Sequence, residues 1–302
     1  MAKIDLHIHS HCSDDGELSS EELLRLGKQA GLNYMAITDH NTVRGVSAVL
    51  ASARQVGIEA ISGVELDCVH MGRNFHLLGY DFDYTLPVFA EIEQSIIRQE
   101  QAAAEEKIAR IQRAIGVPLS AEEVLAAADG HIVTGELIAE LLLQKEEAQL
   151  CPALLPYLAG GARSDNPYLN FYWDYFSQGK PAYVPIHYIS LSEGVALLHE
   201  AGGIAVLAHP GQNLQSDYNF LERMLEISGI DGIEAYSSYH GRIEAAMFDI
   251  VAQSHKLLVT CGSDFHGKIK PSIPLCGHRA DENMPLIIDA LKNWGILKTT
   301  CA

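Results

Sequence analysis

Apolar and polar positions alternate at the start of the chain, where Ile4, Leu6 and Ile8 interleave with Asp5, His7 and His9. Residues i and i+2 of a strand share a face, so this stretch presents two imidazoles side by side. A loop from His11 to Gly16 leads to Ser19-x-x-Glu22, the pattern of a capping box, which opens a helix through Leu23, Leu24 and Ala30 that Gly31 closes. Tyr34 to Thr38 is a short apolar strand ending in Asp39-His40, and a helix through Val46, Val49 and Ala53 follows. Ile58 to Val64 is the next strand, ending at Glu65, and Phe75 to Tyr80 another, with His76 near its start.

From about Pro87 to Gly179 the period changes. Ile92, Ile96, Ile108, Ile111 and Ile115 keep helical spacing up to the break at Gly116-Val117-Pro118, Ser120-x-x-Glu123 caps a new helix, and a third is expected over Val133 to Gln149. The aromatic run Tyr168, Phe171, Tyr172, Trp173, Tyr175 and Phe176 has no clear element; its rings suit either a small core or base stacking. The alternation of strands and helices then resumes. Ile204 to Ala208 ends in His209-Pro210, Gly232 to Ala235 is followed by a helix from Arg242 to Ser254, and Leu257 to Cys261 runs into Gly262-Ser263-Asp264-Phe265-His266. A last helix is expected over Pro285 to Trp294. Such alternation predicts βαβ units and a mostly parallel α/β sheet built from residues 1–86 and 180–302, with 87–179 inserted as a helical cap.

Bulk properties narrow the chemistry. Of 302 residues, 48% are hydrophobic and 20% charged, as in a soluble globular protein, and no apolar run is long enough to cross a bilayer. The chain opens directly into a strand, without a leader pattern, and a cytoplasmic location is expected. Cys12, Cys68, Cys151, Cys261, Cys276 and Cys301 form no C-x-x-C pair, which argues for reduced thiols rather than a zinc ribbon or disulfide framework. A net charge of −18 without a basic cluster disfavours a long nucleic acid but is compatible with a small anion met by metal ions.

The informative feature is where ligand-type residues fall. His7 and His9, His40, Glu65, His209, and Asp264 with His266 all sit at or just past the end of an expected strand, with His76 near another. Parallel strands share one rim at their C-terminal ends, so these side chains are expected to meet in a multinuclear metal site. Mixed imidazole and carboxylate donors suit Mn, Fe or Zn better than Mg, and no cysteine occupies a candidate position. Asp5 and Asp39 are candidates for orienting an imidazole N–H or for capping a turn. The remaining histidines, His11, His70, His131, His187, His199 and His255, are read as ordinary surface or core residues.

The ordered series Asp5-Leu6-His7-Ile8-His9-Ser10, Thr38-Asp39-His40, Gly63-Val64-Glu65, Ala208-His209-Pro210 and Gly262-Ser263-Asp264-Phe265-His266 resembles the PHP (polymerase and histidinol phosphatase) family, over roughly residues 3 to 84 and 180 to 280. The resemblance implies a distorted (βα)7 TIM-like barrel and three divalent ions. Carried over by position, it implies that His7, His9, Glu65 and Asp264 hold one ion, that Glu65 shares a second with His76 and His209, and that Asp14, His40 and His266 hold the third. The doubled Asp14-Asp15 leaves the loop register open: counting from His9 favours Asp14, counting back from Gly16 favours Asp15.

Within the family the chain most resembles insertion-containing phosphatases of nucleoside 3′,5′-bisphosphates and 5′-nucleotides. That implies hydrolysis of phosphate monoesters of small nucleotides by a metal-activated water, and trimming of short RNA from its 5′ end. Closely spaced divalent ions can activate water and neutralise charge on a phosphoryl group, so no protein nucleophile is needed. Lys180, Tyr183, His240, Arg242 and His278 are the expected substrate contacts, with His240 also a candidate catalytic group. Relatives specialised for bisphosphates carry an Arg and a His in the insertion, whereas the comparable helix here, Ile132 to Leu137, has neither. Histidinol phosphate phosphatase, a metal-dependent amidohydrolase and a catalytically idle metal-binding module are the alternatives.

Overall fold

Two serines open helices by the same device. Ser19 and Ser190 each accept from the backbone N–H three residues on, while Glu22 and Glu193 reach back to the cap, satisfying donors that a helix start leaves free. In the computed structural model, residues 2–214 and 217–298 are described; Cys301 lies outside them. The chain runs β1 (Lys3–Asp5), α1 (Ser20–Ala30), β2 (Leu32–Ala36), α2 (Val46–Val56), β3 (Glu59–Ile61), β4 (Gly63–His70) and β5 (Arg73–Tyr80). Four helices follow: α3 (Pro87–Ile115), α4 (Ala121–Ala128), α5 (Gly135–Leu143) and α6 (Pro167–Tyr175). It continues through β6 (Ile189–Ser190), α7 (Leu191–Glu200), β7 (Ile204–Leu207), α8 (Pro210–Leu214), α9 (Tyr218–Ser228), β8 (Gly232–Ser237), α10 (Arg242–Ser254), β9 (Leu258–Gly262) and α11 (Met284–Asn293).

This is a mixed α/β fold with two sheets. β1, β2 and β3 pair in parallel; the second sheet has the order β6-β4-β5-β7-β8-β9. Backbone bonds join the sheets at two places. Leu6 N–H donates to the Cys261 carbonyl (3.1 Å) and Ile8 bridges to Phe265, while on the other side Glu65 N–H donates to Asp39 (3.2 Å) and His40 bridges to Glu65. A large apolar cluster that includes Ile4, Leu6, Val64, Leu66, Leu77, Val206 and Ile233 lies inside, and Leu23, Leu24 and Val49 of the first two helices cover β2 through Met35. Full burial of each such side chain is worth roughly 1.5–3 kcal/mol.

Two expectations about strands are corrected. The stretch from Ile58 to Val64 is not one strand: it breaks at Ser62, and Glu65 is the third residue of the new strand β4 rather than the end of the old one. At the break, a Cβ on Gly63 would come within 2.5 Å of the Ile37 carbonyl, so the close approach requires glycine. β5 pairs antiparallel with both β4 and β7, which departs from the expected parallel run. Reversal brings the start of β5, and with it His76, beside Asp67 of β4 and the end of β7.

The helical stretch between β5 and β6 has its own buried cluster, with Ile108, Ile111, Val124, Ile138, Leu142, Phe171 and Phe176 among its members. The helix expected over Val133 to Gln149 stops at Leu143, and a 3₁₀ turn over Glu146–Leu150 follows, turning Ala148 into that cluster. α6 was marked by Asn166-Pro167, a proline at a first helical position. No helix of the described residues is long and apolar enough to cross a membrane.

Gly262 closes β9 against the first strand, and a Cβ there would overlap the Cβ of His7. Gly262→Ala is expected to destabilise the fold by about 1–3 kcal/mol through overpacking, read as a fall in the thermal midpoint; an unchanged midpoint would show that the two strands can part without loss.

Candidate metal centre

Glu65 is fully buried and meets imidazoles at both of its oxygens. Oε2 lies 3.0 Å from His7 Nε2, 3.1 Å from His9 Nε2 and 3.4 Å from His40 Nε2. Oε1 lies 2.9 Å from His76 Nδ1 and 3.0 Å from His209 Nε2. Asp264 Oδ1 faces the same His7 and His9 nitrogens at 3.2 and 3.1 Å. Among the described residues, four groups converge closely enough to share a cation: His7, His9, Glu65 and Asp264; Glu65, His76 and His209; His9, Asp15, His40 and His266; and His40, Asp67 and His76. The rings of His7 and His9 stand side by side with centroids 5.2 Å apart, as alternation on the first strand predicted.

Outer partners fix which nitrogen faces the centre. His7 Nδ1 donates to Glu234 Oε1 (2.9 Å), His209 Nδ1 to Asn213 Oδ1 (3.1 Å) and His266 Nδ1 to the Asp264 carbonyl (2.9 Å), leaving each Nε2 lone pair turned inward. His9 Nε2 is buried with no hydrogen-bond partner. Imidazoles that would offer Nε2 once deprotonated, interleaved with carboxylates and without sulfur, are a donor set that fits divalent metal ions. Two site residues bend the backbone to reach it: His209 has φ 23° and Asp264 φ 55°, a region non-glycine residues rarely occupy. Asp264 is held there by its N–H donating to the His7 carbonyl (2.8 Å) and by Lys270 Nζ donating to Oδ2 (2.9 Å).

The loop after the first strand settles its own register. Asp15 Oδ2 lies 3.0 Å from His266 Nε2 and 3.5 Å from His40 Nε2, whereas Asp14 turns away to within 3.8 Å of His131 Nδ1. Of the two registers left open, the structure places Asp15, not Asp14, against His40 and His266. The cause is local: Ser13 Oγ donates to Asp15 Oδ1 (2.5 Å), and Gly16 packs so tightly on the Ser10 carbonyl that no side chain fits there.

Of the two roles left open for Asp5 and Asp39, the structure shows the one that holds the backbone rather than an imidazole. Asp5 accepts from the backbone N–H groups of Ser263 and Cys276 (2.8 and 2.7 Å), and Asp39 from Ser10 N–H and Oγ–H (2.6 and 2.7 Å); both hold loops rather than rings. Glu234 does the orienting, and Asp67 sits 3.2 Å from His76 Nε2. Both escaped the sequence reading. Asp67 follows Glu65 by two on the same face of β4, and Glu234 is the one charged residue of the fully buried strand β8.

None of the five expected substrate contacts lines the cavity of about 570 Å³ that opens over these residues. His240 is buried with Nδ1 donating to the Ala235 carbonyl (2.8 Å) and Nε2 accepting from Gly211 N–H (3.0 Å), so neither nitrogen is free to act as a catalytic group. His278 is likewise used up by the Ile4 carbonyl and Ala280 N–H. Lys180 and Arg242 are exposed outside the cavity, and Tyr183 is half-buried beside Arg110, which donates to its carbonyl. The walls are instead formed by Arg44, Arg73, Tyr188 and Tyr239, with Glu100, Lys107, Glu136, Tyr172 and Trp173 from the helical stretch. Phe171 and Phe176 of the aromatic run go into the helical core, while Tyr172 and Trp173 face the cavity.

Burial alone would depress the imidazoles, but Glu65, Asp15 and Asp67 outweigh it and hold His7, His40, His76 and His266 above the ordinary 6.5. Burial alone would raise the carboxyls, yet the facing imidazoles hold Glu65 and Asp15 well below the ordinary carboxylate range. His9 goes the other way, lowered by burial and by His266.

Two outcomes follow from this charge pairing. Stability from the raised imidazoles is complete below 6.5 and is lost as pH rises through their raised values. Stability from the depressed carboxylates is present above 4.5 for Glu65 and 3.8 for Asp15, and is lost as pH falls through their lowered values. The metal-free protein is therefore expected to melt lower at about pH 8.5 than at about pH 6, with an added divalent ion raising the midpoint more at the higher pH; calorimetry showing the reverse order would contradict the pairing. Glu234→Ala should weaken metal binding by about 10–100-fold by freeing the His7 ring, measured by titration with a chelator; unaltered affinity would remove Glu234 from the site.

The geometry can be set beside known proteins. The family model of the PHP domain matches residues 5–87. The chain is 31% identical over 294 residues to a 5′-3′ exoribonuclease of Haemophilus influenzae, covering 97% of this chain and 98% of that one. It is 30% identical over 275 residues to a 3′,5′-nucleoside bisphosphate phosphatase of Chromobacterium violaceum, covering 88% of each. A solved Chromobacterium violaceum structure, described as an amidohydrolase with bound sulfate and no metal, superimposes with a TM-score of 0.73 at 28% identity over 88% of each chain. With near-complete coverage at that identity, and with imidazoles and carboxylates gathered at one rim, the chain belongs to the PHP family of metal-dependent phosphoesterases.

Proposed function

We propose that this protein hydrolyses phosphate monoesters of small nucleotides, nucleoside 3′,5′-bisphosphates or 5′-nucleotides, at a centre of three divalent ions. The observation that carries the reading is the shared Glu65 carboxylate, whose two oxygens each face a separate set of imidazoles. His7, His9, Glu65 and Asp264 would hold one ion, Glu65 with His76 and His209 a second, and Asp15, His40 and His266 a third, with Asp67 beside His40 and His76. The donor set suits Mn, Fe or Zn. When bound, such ions supply Lewis-acid charge and activate water for attack at phosphorus.

The chain's own residues do the rest. Glu234, Asn213 and the Asp264 carbonyl hold the His7, His209 and His266 rings in the tautomer that offers Nε2. Tyr172, Trp173, Leu169, Ile96 and Ile97 give the cavity an apolar wall that excludes water and offers flat faces to a base. Cys12 also lines the cavity, but burial and Asp39 push its thiol up, so it is a poor nucleophile at neutral pH. Residues 87–179 act as a cap over a distorted (βα)7 barrel in this reading, supported by the helical core and by the two backbone bridges between the sheets. The free thiols of Cys12, Cys68, Cys151, Cys261 and Cys276 agree with a cytoplasmic setting. The Haemophilus influenzae relative supports a second activity, removal of nucleotides from the 5′ end of short RNA.

The test is phosphate release by manganese-loaded protein from adenosine 3′,5′-bisphosphate, 5′-AMP, 3′-AMP and a short 5′-phosphorylated RNA. Turnover of at least one nucleotide is expected, with kcat/KM falling by more than about 100-fold in His9→Ala. Protein that binds manganese yet releases phosphate from none of these esters would overturn the proposal.

A further inference from the structure

The second and third ion sets have no ligand in common, yet one side chain reaches both. Asp67 lies two residues beyond Glu65 on the same face of β4 and lines the cavity. Its Oδ1 is 3.2 Å from His76 Nε2 and 3.4 Å from His40 Nδ1. These are the outward nitrogens of the two rings: His76 turns Nδ1 to Glu65 (2.9 Å), and His40 turns Nε2 to Glu65 and Asp15 (3.4 and 3.5 Å). His40 Nδ1 is buried and makes no hydrogen bond, so Asp67 Oδ1 is the acceptor placed for its N–H.

The other carboxylate oxygen is already committed. Oδ2 accepts from Asn41 Nδ2 (2.6 Å), while Asn41 Oδ1 accepts from the Asp67 backbone N–H (2.9 Å), so each residue fixes the other. Asn41 directly follows His40, and its own N–H donates to the Glu65 carbonyl (2.7 Å). The segment that carries His40 is thereby locked to β4, and Oδ1 is left to face both rings.

An imidazole that holds a cation through one nitrogen carries its proton on the other, and that N–H needs an acceptor. A His76 ring engaged through Nδ1 has its proton on Nε2; a His40 ring engaged through Nε2 has it on Nδ1. Both N–H groups then point at one oxygen, which has lone pairs for two. Whichever ring is engaged first holds the Asp67 carboxylate in place for the other, and linkage makes the benefit mutual.

We infer that Asp67 is a positioning residue that couples the second and third ions, so that filling one set strengthens the other, while the set of His7, His9, Glu65 and Asp264 does not depend on it. The inference rests on the three-ion reading above and deepens it.

Manganese content decides it, counted by atomic absorption after dialysis against chelator-buffered manganese over a range of free concentrations. Wild type should hold three ions per chain. In Asp67→Asn, the Asn41 amide keeps the new side-chain oxygen, and the new NH2 is left facing the two ring N–H groups, donor against donor. That variant should keep the first ion as wild type does, which also shows that it is folded, and bind the other two about 10–100-fold more weakly. Removing the third set with His266→Ala should weaken the second ion by about 5-fold or more when Asp67 is present and leave it unmoved in Asp67→Asn. At saturating manganese, kcat of Asp67→Asn on p-nitrophenyl phosphate should return to within about 3-fold of wild type, as expected of a group that acts through the imidazoles and not on the substrate. Equal manganese affinities in wild type, Asp67→Asn and Asp67→Ala, or weakening of one ion alone, would overturn the inference. So would a fourth ion in wild type that Asp67→Ala loses, because Asp67 would then be a ligand together with His40 and His76. Three bound ions without phosphate release from any ester would overturn the phosphoesterase reading and leave the coupling standing, whereas fewer than three in wild type would overturn the coupling together with the three-ion centre.

Discussion

Glu65 is a charge placed where water cannot reach it, and the rest of the structure is arranged around keeping it satisfied. An ionised carboxylate at zero exposure is tolerated only when paired and hydrogen-bonded on all sides. Five imidazole nitrogens from His7, His9, His40, His76 and His209 do this, and they come from four separate strand or loop segments. The break after β3, the close approach of Gly63 and the reversal of β5 are the backbone devices that bring those segments to one point. A site built this way is charge-balanced by protons when metal is absent and by divalent ions when it is present, so metal affinity, pH and fold stability are coupled through the same side chains.

The outer layer of the site matters as much as the inner one. Glu234 is fully buried and uses one oxygen on the His7 ring and the other on the backbone N–H of His209, so a single side chain orients groups from both ends of the chain. Asp5 plays the matching structural part, tying the first strand to the loop at Ser263 and Cys276. Lys270, 2% exposed, lies against Asp264 Oδ2 and 3.8 Å above the Tyr239 ring, leaving Oδ1 to face His7 and His9. The helical stretch adds a second, differently charged wall, in which cations are already spent on Glu93 and Glu100.

Much of this was legible in the residues. The strand that carries His7 and His9, the capped helix after it, the histidine and carboxylate punctuation of later strands and the helical character of 87–179 all follow from local periodicity and cap chemistry. Asp67 was also legible, since it shares a strand face with Glu65, but the strand runs on to His70 rather than ending at Glu65 as its pattern suggests. What periodicity does not encode is direction: β5 reads as an apolar strand either way, and only its pairing with β4 and β7 places His76 at the rim by its start rather than its end. Lys180, Tyr183, His240, Arg242 and His278 lie off the cavity lining for a related reason, because proximity in sequence to a motif says nothing about where a side chain ends up or whether a polar atom is left free. The His240 and His278 nitrogens are consumed by backbone groups that come from distant or adjacent segments.

By itself, then, the sequence determined which residue types are available and how they recur: an α/β alternation, a helical interruption, and imidazoles and carboxylates set at strand ends. Tertiary structure decided which of them meet. It chose Asp15 over Asp14 through a serine hydrogen bond and a glycine packed on a carbonyl, and turned Glu234 rather than Asp5 or Asp39 onto an imidazole. The reason is physical: local propensity depends on neighbours within a few residues, whereas burial, charge pairing and the direction of a lone pair depend on groups that may lie hundreds of positions away, as Glu234 does from His7.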